Sequence, residues 1–465
     1  MKNVITTISI LLCLFMTGIA DPAFSQNAEP GKPGVNGDKS DSPDLANDSK
    51  TQPIDLKSLL ELAYSGNPQI RAARLEWQAD LQMYPQSKAL PDPSLTLKKP
   101  LDGSGNYDLE FMQMIPNPRY LSLRGKKALT MAEMAQVRFE KTVRDVLVDV
   151  MKSCYELGYL NQAEKVTKTN RDLFAQLVDL GKLRNAKGEI GASELYSAES
   201  RLAQAEYELN LLGELKEAEK ASMRKLLGVD VDYPLEDFIL PETVIVPLDK
   251  DSLRKAVTEH SQELAMAGLS VEVGNTDLSL ARSMQIPDFN LGLMYSKMGS
   301  SMGTNDMGEP TSVGGGDDYT LMFGVTLPIW GGKNKAMVNE ARDRKDAAEA
   351  NYKNQQNTIN EETDRLYWKI LNLGRLDNLY KDNLLPQARN ASQLAQTLYE
   401  QNNTEFSGLL ETRMVVGNFE IAYARAQADY LQALADLSKL TGSPVWGNEK
   451  STDSDPNTKK GGDAK

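Results

Sequence analysis

An internal repeat constrains the fold of this chain more than any other feature of its sequence. Landmarks in the first half recur in the second half in the same order: Ile70 with Leu264, Pro93 with Pro287, Pro116 with Pro328, and Ser193 with Ser407. The offset between partners is 194 positions for the first two pairs and 212–214 for the others, which indicates one enlarged loop. Self-similarity of this kind indicates two copies of one structural unit. We therefore assign residues 53–240 to a first repeat and residues 241–445 to a second.

Each repeat predicts a helix, two short strands, a very long helix, a tight turn and a returning helix. The long segments run from Leu121 to Lys187 and from Asn334 to Asn402, and Pro386 is their only proline. At 1.5 Å per residue, each would span on the order of 100 Å if unbroken. The predicted class is therefore mainly α, with a small β part.

The returning helices carry apolar residues at alternating spacings of three and four. The first series is Leu195, Ala198, Leu202, Ala205, Leu209 and Leu212, and a longer series starts at Leu409. This spacing predicts a supercoiled helix–helix seam. An intramolecular antiparallel coiled coil would also explain the seam, but it leaves the strands unexplained.

Four short segments alternate between apolar and polar residues, as strands do. The clearest is Tyr319–Pro328, followed by Phe289–Ser296 and Tyr107–Ile115, with a weaker segment at Ser94–Lys98. The longer segments approach the roughly 9–11 residues of a membrane-spanning strand. Aromatic residues lie at their ends, as in the interfacial girdles of membrane barrels: Trp330 at one side and Tyr107, Tyr295 and Tyr319 at the other. Strands half-buried in a soluble sheet are the alternative.

The N-terminus has the features of a secretory signal peptide. Lys2 precedes an apolar run from Val4 to Ala20, and Ala23-Phe24-Ser25 provides a cleavage site. Residues 1–25 are therefore predicted to be removed on export. Residues 26–52 and 446–465 are polar and are predicted to be disordered tails.

Composition excludes several classes of function. His260 is the single histidine and Cys13 and Cys154 are the two cysteines, so multi-histidine and four-thiolate metal sites are excluded. The net charge of −13 argues against binding nucleic acid through phosphate neutralisation. We expect Cys154 to be packed inside a helix bundle and His260 to lie on a helix surface. No constellation supports catalysis or a cofactor.

The predicted strands require assembly. Four strands cannot close a barrel, because the smallest membrane barrels have about eight. Open edges in lipid would leave peptide groups unpaired, at several kcal/mol each. Three copies related by cyclic symmetry would provide twelve strands and a ring of twelve helices.

This arrangement resembles the TolC-like family of outer-membrane efflux and secretion channels. The resemblance covers Ile54–Pro444 and rests on the helix start at Asn67–Ala73, the strand exit at Leu327–Gly332, and the turns beginning at Gly188 and Asn403. It implies a homotrimer with a twelve-stranded outer-membrane β-barrel on a twelve-helix periplasmic α-barrel. It also implies a periplasmic adaptor and an inner-membrane transporter of the RND or ABC type as partners, and a passive conduit without catalysis.

The resemblance further implies a periplasmic gate at Ser193, Glu194, Tyr399 and Glu411. In the family pattern, an acidic residue after the first turn accepts a hydrogen bond from a tyrosine before the second, and Glu194 and Tyr399 match these positions. An arginine tie of the pattern is replaced by Thr404. Of two acidic constriction positions, only Glu411 keeps its charge. A solvated coiled-coil flank is the alternative interpretation.

Methionines occur on the polar face of the predicted strands, at Met112, Met114, Met294 and Met322. This face must line the lumen if the apolar face meets lipid. Further methionines follow in the enlarged loop, at Met298, Met302 and Met307. Thioethers are soft donors suited to Cu(I) or Ag(I). Methionine is also an adaptable filler of irregular space, which is the alternative.

We therefore predict an outer-membrane channel subunit of a tripartite efflux system that extends into the periplasm, for heavy-metal cations or small toxic compounds. A duct for type I protein secretion has the same architecture and stays open as an alternative. A soluble periplasmic coiled-coil protein is the alternative from a different class.

Overall fold

The computed structural model describes residues 56–101, 106–298, 301–304, 310–313, 316–401 and 406–441. The predicted signal peptide, both predicted tails, Thr404 and Met307 lie outside these ranges. The side chain of Met302 also lies outside the description.

Each half of the chain begins with two helices that meet at a capping residue. Helices α1 (Leu56–Gly66) and α2 (Pro68–Lys88) meet at Asn67, whose side chain accepts hydrogen bonds from the backbone N–H groups of the next turn. Helices α5 (Lys250–His260) and α6 (Gln262–Ser283) meet at Ser261, which caps α6 in the same way. These caps satisfy N–H groups that lack an intrahelical partner. A proline directly after Asn67 also favours a helix start.

Four strands form an antiparallel sheet in the order β1–β2–β3–β6. Their bounds are Ser94–Lys98 (β1), Tyr107–Ile115 (β2), Asp288–Met298 (β3) and Gly316–Thr326 (β6). Strands β4 (Ser301–Thr304) and β5 (Pro310–Val313) pair with each other in a separate hairpin. All four predicted strands are present, and the first two have the predicted bounds.

The sheet exposes its apolar face. Leu321 and Phe323 of β6 are 74% and 71% exposed, and Leu95 of β1 is 68% exposed. Pairing places apolar residues of neighbouring strands side by side, as in the row Leu109, Tyr295 and Tyr319. A soluble sheet would cover such a face, because large exposed apolar patches mark surfaces that contact a partner or lipid.

Long helices extend from the sheet. The first half contains α3 (Pro118–Ala186) and the returning α4 (Ala192–Leu227). The second half contains α7 (Gly331–Asn378), a π-helical turn (Leu379–Leu384), α8 (Leu385–Glu400) and the returning α9 (Phe406–Thr441). Helix α3 packs against α2, α4, α6 and α9, so the buried core lies along its length.

The second long helical segment, predicted over 334–402, consists of two α-helices joined by a π-helical turn. A π-helical turn interrupts it directly before Pro386. The physical reason is that proline has no N–H to donate and its ring clashes with the carbonyl four residues earlier. A wider turn accommodates both effects without ending the helix.

Residues 229–249 connect the two halves without a helix or strand and are fixed to the helices by hydrogen bonds. The Tyr430 hydroxyl accepts from the Val246 N–H at 2.9 Å, and Thr243 Oγ1 donates to Asp377 Oδ1 at 2.9 Å. The Asn161 side chain donates to the Phe238 carbonyl at 3.0 Å. The connection therefore packs on helices of both halves.

No helix in the described ranges is both long and apolar enough to cross a membrane.

Candidate functional site

The four strand methionines lie together on the polar face of the sheet. The strand register places Met112, Gly292 and Met322 in one row. A Cβ added at Gly292 would lie only 3.1 Å from the methyl carbon of Met322, so the Met322 side chain covers this glycine. The next row toward the loops contains Met294 between Glu110 and Thr320. The row on the other side pairs Met114 with Asn290. The predicted grouping of methionines on one face is therefore present.

Charged residues follow the methionines toward the loop end of the same face. Lys98 Nζ lies 2.6 Å from Glu110 Oε2. In the adjacent row, the Ser296 hydroxyl donates to the Asp108 carboxylate. This face therefore offers thioether sulfurs at its middle and ionised groups at its end.

A groove separates the returning helices α4 and α9 near the turn end of the helices. It has a volume of about 480 Å³ and contains three of the predicted gate residues: Ser193, Glu194 and Glu411. Arg201 also lines it. The groove therefore brings two carboxylates and one guanidinium together at an open, solvent-facing site.

Tyr399, the fourth predicted gate residue, does not lie in this groove. It is 5% exposed and packs in an apolar cluster, with its ring centroid 5.8 Å from that of Phe406. The predicted hydrogen bond to Glu194 is not formed, and the Tyr399 hydroxyl has no partner within hydrogen-bond geometry among the described residues. The reason is that Glu194 faces the groove, whereas Tyr399 points into the core among α3, α4 and α9.

Arg184, from the last turn of α3, contacts Tyr399 instead. Its guanidinium carbon lies 4.4 Å from the centre of the tyrosine ring, and its Nε lies 3.8 Å from a carboxylate oxygen of Glu189. Burial raises the pKa of Tyr399, and the positive charge of Arg184 opposes this rise. A cation on the face of a buried ring is attractive, by about 0.5–2 kcal/mol.

Arg184 is not among the gate residues predicted from the sequence. The available signal was positional: Arg184 lies in the last turn of α3 and Tyr399 in the last turn of α8, at corresponding ends of the two long helices.

Cys154 and His260, the other two residues considered from the sequence, lie outside the groove between α4 and α9 and outside the methionine rows. Cys154 is a free, fully buried thiol, as predicted. His260 is exposed at the end of α5, also as predicted. Within the described residues, no cluster of three or more histidine, cysteine or acidic side chains could hold a metal ion.

Long paired helices beside a short sheet with an exposed apolar face agree with the fold that the predicted family resemblance implies. Residues 253–443, which lie within the predicted second repeat, match the model of the family described as outer membrane efflux protein. This match confirms the predicted family resemblance and agrees with the predicted outer-membrane localisation. No curated protein matches the chain in sequence.

Solved structures of membrane proteins share the fold. A membrane protein from Pseudomonas aeruginosa superimposes with a TM-score of 0.70 at 19% identity, covering 83% of this chain and 90% of that one. The outer membrane protein VceC from Vibrio cholerae gives 0.69 at 16% identity, with 84% and 96% covered. CusC, whose structures concern transmembrane channel formation, gives 0.69 at 14% identity, with 83% and 92% covered. At these identities the likeness establishes the fold alone.

Proposed function

We propose that this chain is the outer-membrane channel subunit of a tripartite efflux system and forms a passive conduit from the periplasm to the exterior. The observation that carries the proposal is the four-stranded sheet with one exposed apolar face. Such a face is stable in contact with hydrocarbon, and strands β2, β3 and β6, with 9, 11 and 11 residues, are long enough to span a bilayer when tilted. The family match favours this function over a soluble coiled-coil protein.

Three copies complete the channel. Strands β1 and β6 each have one neighbour in the sheet, so both edges carry backbone groups available for pairing. When β6 of one copy pairs with β1 of the next, three copies close a barrel of twelve strands without an edge. The long helices of the same copies then form a ring on the periplasmic side.

The helical end is the proposed entrance. Glu411, Glu194 and Ser193 line the groove between α4 and α9, and three copies of Glu411 around one axis would favour cations. Arg184 holds Tyr399, and therefore the end of α8, against the end of α3. Opening requires these helix ends to separate.

A periplasmic adaptor and an inner-membrane transporter of the RND or ABC type complete the system, and the channel itself performs no catalytic step. Type I protein secretion uses the same architecture and is the second candidate. Genes for a proton-driven pump and an adaptor beside this gene would favour efflux. An ABC exporter with a secreted substrate would favour secretion.

Cu(I) or Ag(I) is the substrate class that the methionines suggest. Met112, Met294 and Met322 lie in adjacent rows of the face that lines the lumen in the proposed barrel. Thioether sulfur binds soft cations weakly enough to release them. The methionines would therefore provide transient contacts along the conduit.

Sensitivity to copper and silver tests this substrate. Deletion of the gene should sensitise cells to both metals, and replacing Met112, Met114, Met294 and Met322 together by leucine should reproduce part of the effect. Leucine keeps the volume and removes the sulfur, so the channel should still assemble. Normal metal tolerance of the deletion strain would remove copper and silver as substrates and leave the channel proposal standing.

A further inference from the structure

The helix ends that adjoin the sheet carry unpaired positive charge in an otherwise acidic protein. The net charge of the chain is −13, yet the first two turns of α3 contain Arg119 and Arg124, and those of α7 contain Lys333 and Lys335. None of the four is in an ion pair within the described residues, whereas the neighbouring Lys127 pairs with Asp277 at 2.6 Å. Both helices therefore start with cations that have no protein counter-charge.

A groove lies at the same level, between the end of α6 and the start of α7. It has a volume of about 550 Å³ and is lined by Gln285, Asn334, Lys335, Asn339 and Arg342, among others. No carboxylate lines it. Lys335, Asn339 and Arg342 are three or four residues apart along α7 and therefore lie on one face of the helix. The Arg342 side chain tilts toward the sheet, because helical side chains tilt toward the helix N-terminus. Asn334 Nδ2 already donates to the Pro328 carbonyl at 2.9 Å, and Arg342 Nη1 donates to Asn339 Oδ1 at 3.3 Å. The two cations therefore make this surface suited to an anion.

Apolar side chains surround this groove on the side of the sheet. Ile329 and Trp330 are 71% and 69% exposed, and Met284 and Ile286 are exposed beside Gln285. These side chains continue the apolar face of the sheet toward the helices. A soluble anion would make no use of these apolar side chains. A lipid could contact them with its acyl chains and place its charged headgroup in the groove.

We propose that this groove, with Lys335 and Arg342, binds the headgroup of an anionic glycerophospholipid in the periplasmic leaflet of the membrane. The inference rests on the proposed outer-membrane function. Lys335 lies about 6 Å along α7 from its start, which is within the polar layer of about 5–8 Å that borders the hydrocarbon of each leaflet. Arg342 starts about 16 Å along the helix, and its long side chain extends back toward this layer. The adjoining Trp330 has the amphipathic ring that favours this depth.

Quenching by brominated lipids tests the proposal, because Trp330 adjoins the groove. The purified full-length protein is reconstituted with brominated phosphatidylglycerol or brominated phosphatidylcholine at equal mole fraction, and tryptophan fluorescence is measured. The expected result is stronger quenching by phosphatidylglycerol. The Lys335→Gln/Arg342→Gln double variant should lower the relative affinity for phosphatidylglycerol roughly tenfold or more, since each cation near an anionic surface contributes about fivefold.

The matched control is Lys353→Gln/Lys369→Gln, which removes two exposed cations of the same helix far from the sheet and should keep the preference. Equal quenching by the two lipids in the unmodified protein, or an unchanged preference in the Lys335→Gln/Arg342→Gln variant, would overturn the proposal. Loss of the preference on adding inorganic phosphate, but not chloride at equal ionic strength, would also overturn it in favour of a free-anion site. If the chain does not enter membranes, neither lipid quenches, and the proposed function fails instead.

Discussion

In the proposed channel, the contact between Arg184 and Tyr399 is the residue-scale interaction that holds the entrance closed. The Arg184→Gln variant removes the cation on the tyrosine ring, at a cost of about 0.5–2 kcal/mol. We expect a higher single-channel conductance in planar bilayers. Tyr399→Phe should leave the conductance nearly unchanged, because the ring that contacts Arg184 remains and the hydroxyl makes no well-aligned hydrogen bond within the described part of the chain.

Arg138→Gln is the control, since Arg138 lies exposed on the same helix near the sheet end. A hydrogen-bonded latch would give the opposite pattern. In that case, Tyr399→Phe would open the channel and Arg184→Gln would not.

Cys154 provides a second test at this scale. Burial raises the pKa of its thiol to about 12, so the reactive thiolate is scarce at pH 8. We expect no modification by iodoacetamide in the folded protein and complete modification in guanidinium chloride, measured by peptide mass. An exposed reference thiol from Ser200→Cys should react readily without denaturant. Equal reaction rates at the two positions would contradict the buried placement.

Residue placement could be predicted from the sequence where one element determines it. Met112 and Met322 lie on the predicted face because side chains alternate along a strand. Tyr399 could not be placed in this way. Its neighbour Arg184 is distant in sequence, and the contact depends on how α3 and α8 pack together.

At the element scale, the junction between α1 and the end of α4 depends on two glycines. Gly228 has a φ of +69°, and a Cβ there would lie 2.3 Å from the Gly66 carbonyl oxygen. Gly228→Ala should lower the free energy of unfolding by about 2 kcal/mol or more, through left-handed strain and this clash. A lower apparent melting temperature of the purified protein would report it.

Gly213 offers the matched substitution within the same helix. A Cβ there meets nothing within 4 Å, so Gly213→Ala should stabilise the protein by about 0.5–1 kcal/mol. If Gly228→Ala and Gly213→Ala have similar melting temperatures, the backbones at Gly66 and Gly228 are far enough apart in solution to accommodate a Cβ, which would contradict this account.

Elements were predictable where their signal is local. Strand β2 has the predicted bounds, and Asn67 and Ser261 cap helices where the sequence indicates helix starts. The π-helical turn before Pro386 was not predicted. A proline inside a long helix signals a disturbance, but only the packing of α7 and α8 decides between a kink, a break and a wider turn.

At the scale of the whole molecule, the proposed assembly follows from the exposed apolar face of the sheet and from its free edges. The apolar face needs hydrocarbon and the edges of β1 and β6 need partners, and both needs follow from the alternation and number of strands. The fold class was therefore predictable from the sequence. The substrate was not, because in the proposed channel the side chains that line the lumen would provide only weak contacts and the proposed transporter partner is a separate protein.

The mass of the detergent-extracted protein tests this account most directly. We expect native mass spectrometry or light scattering of protein extracted from outer membranes to give three chains per particle. A stable single-copy particle that stays dissolved without detergent would contradict the account, since no membrane-embedded barrel could then form.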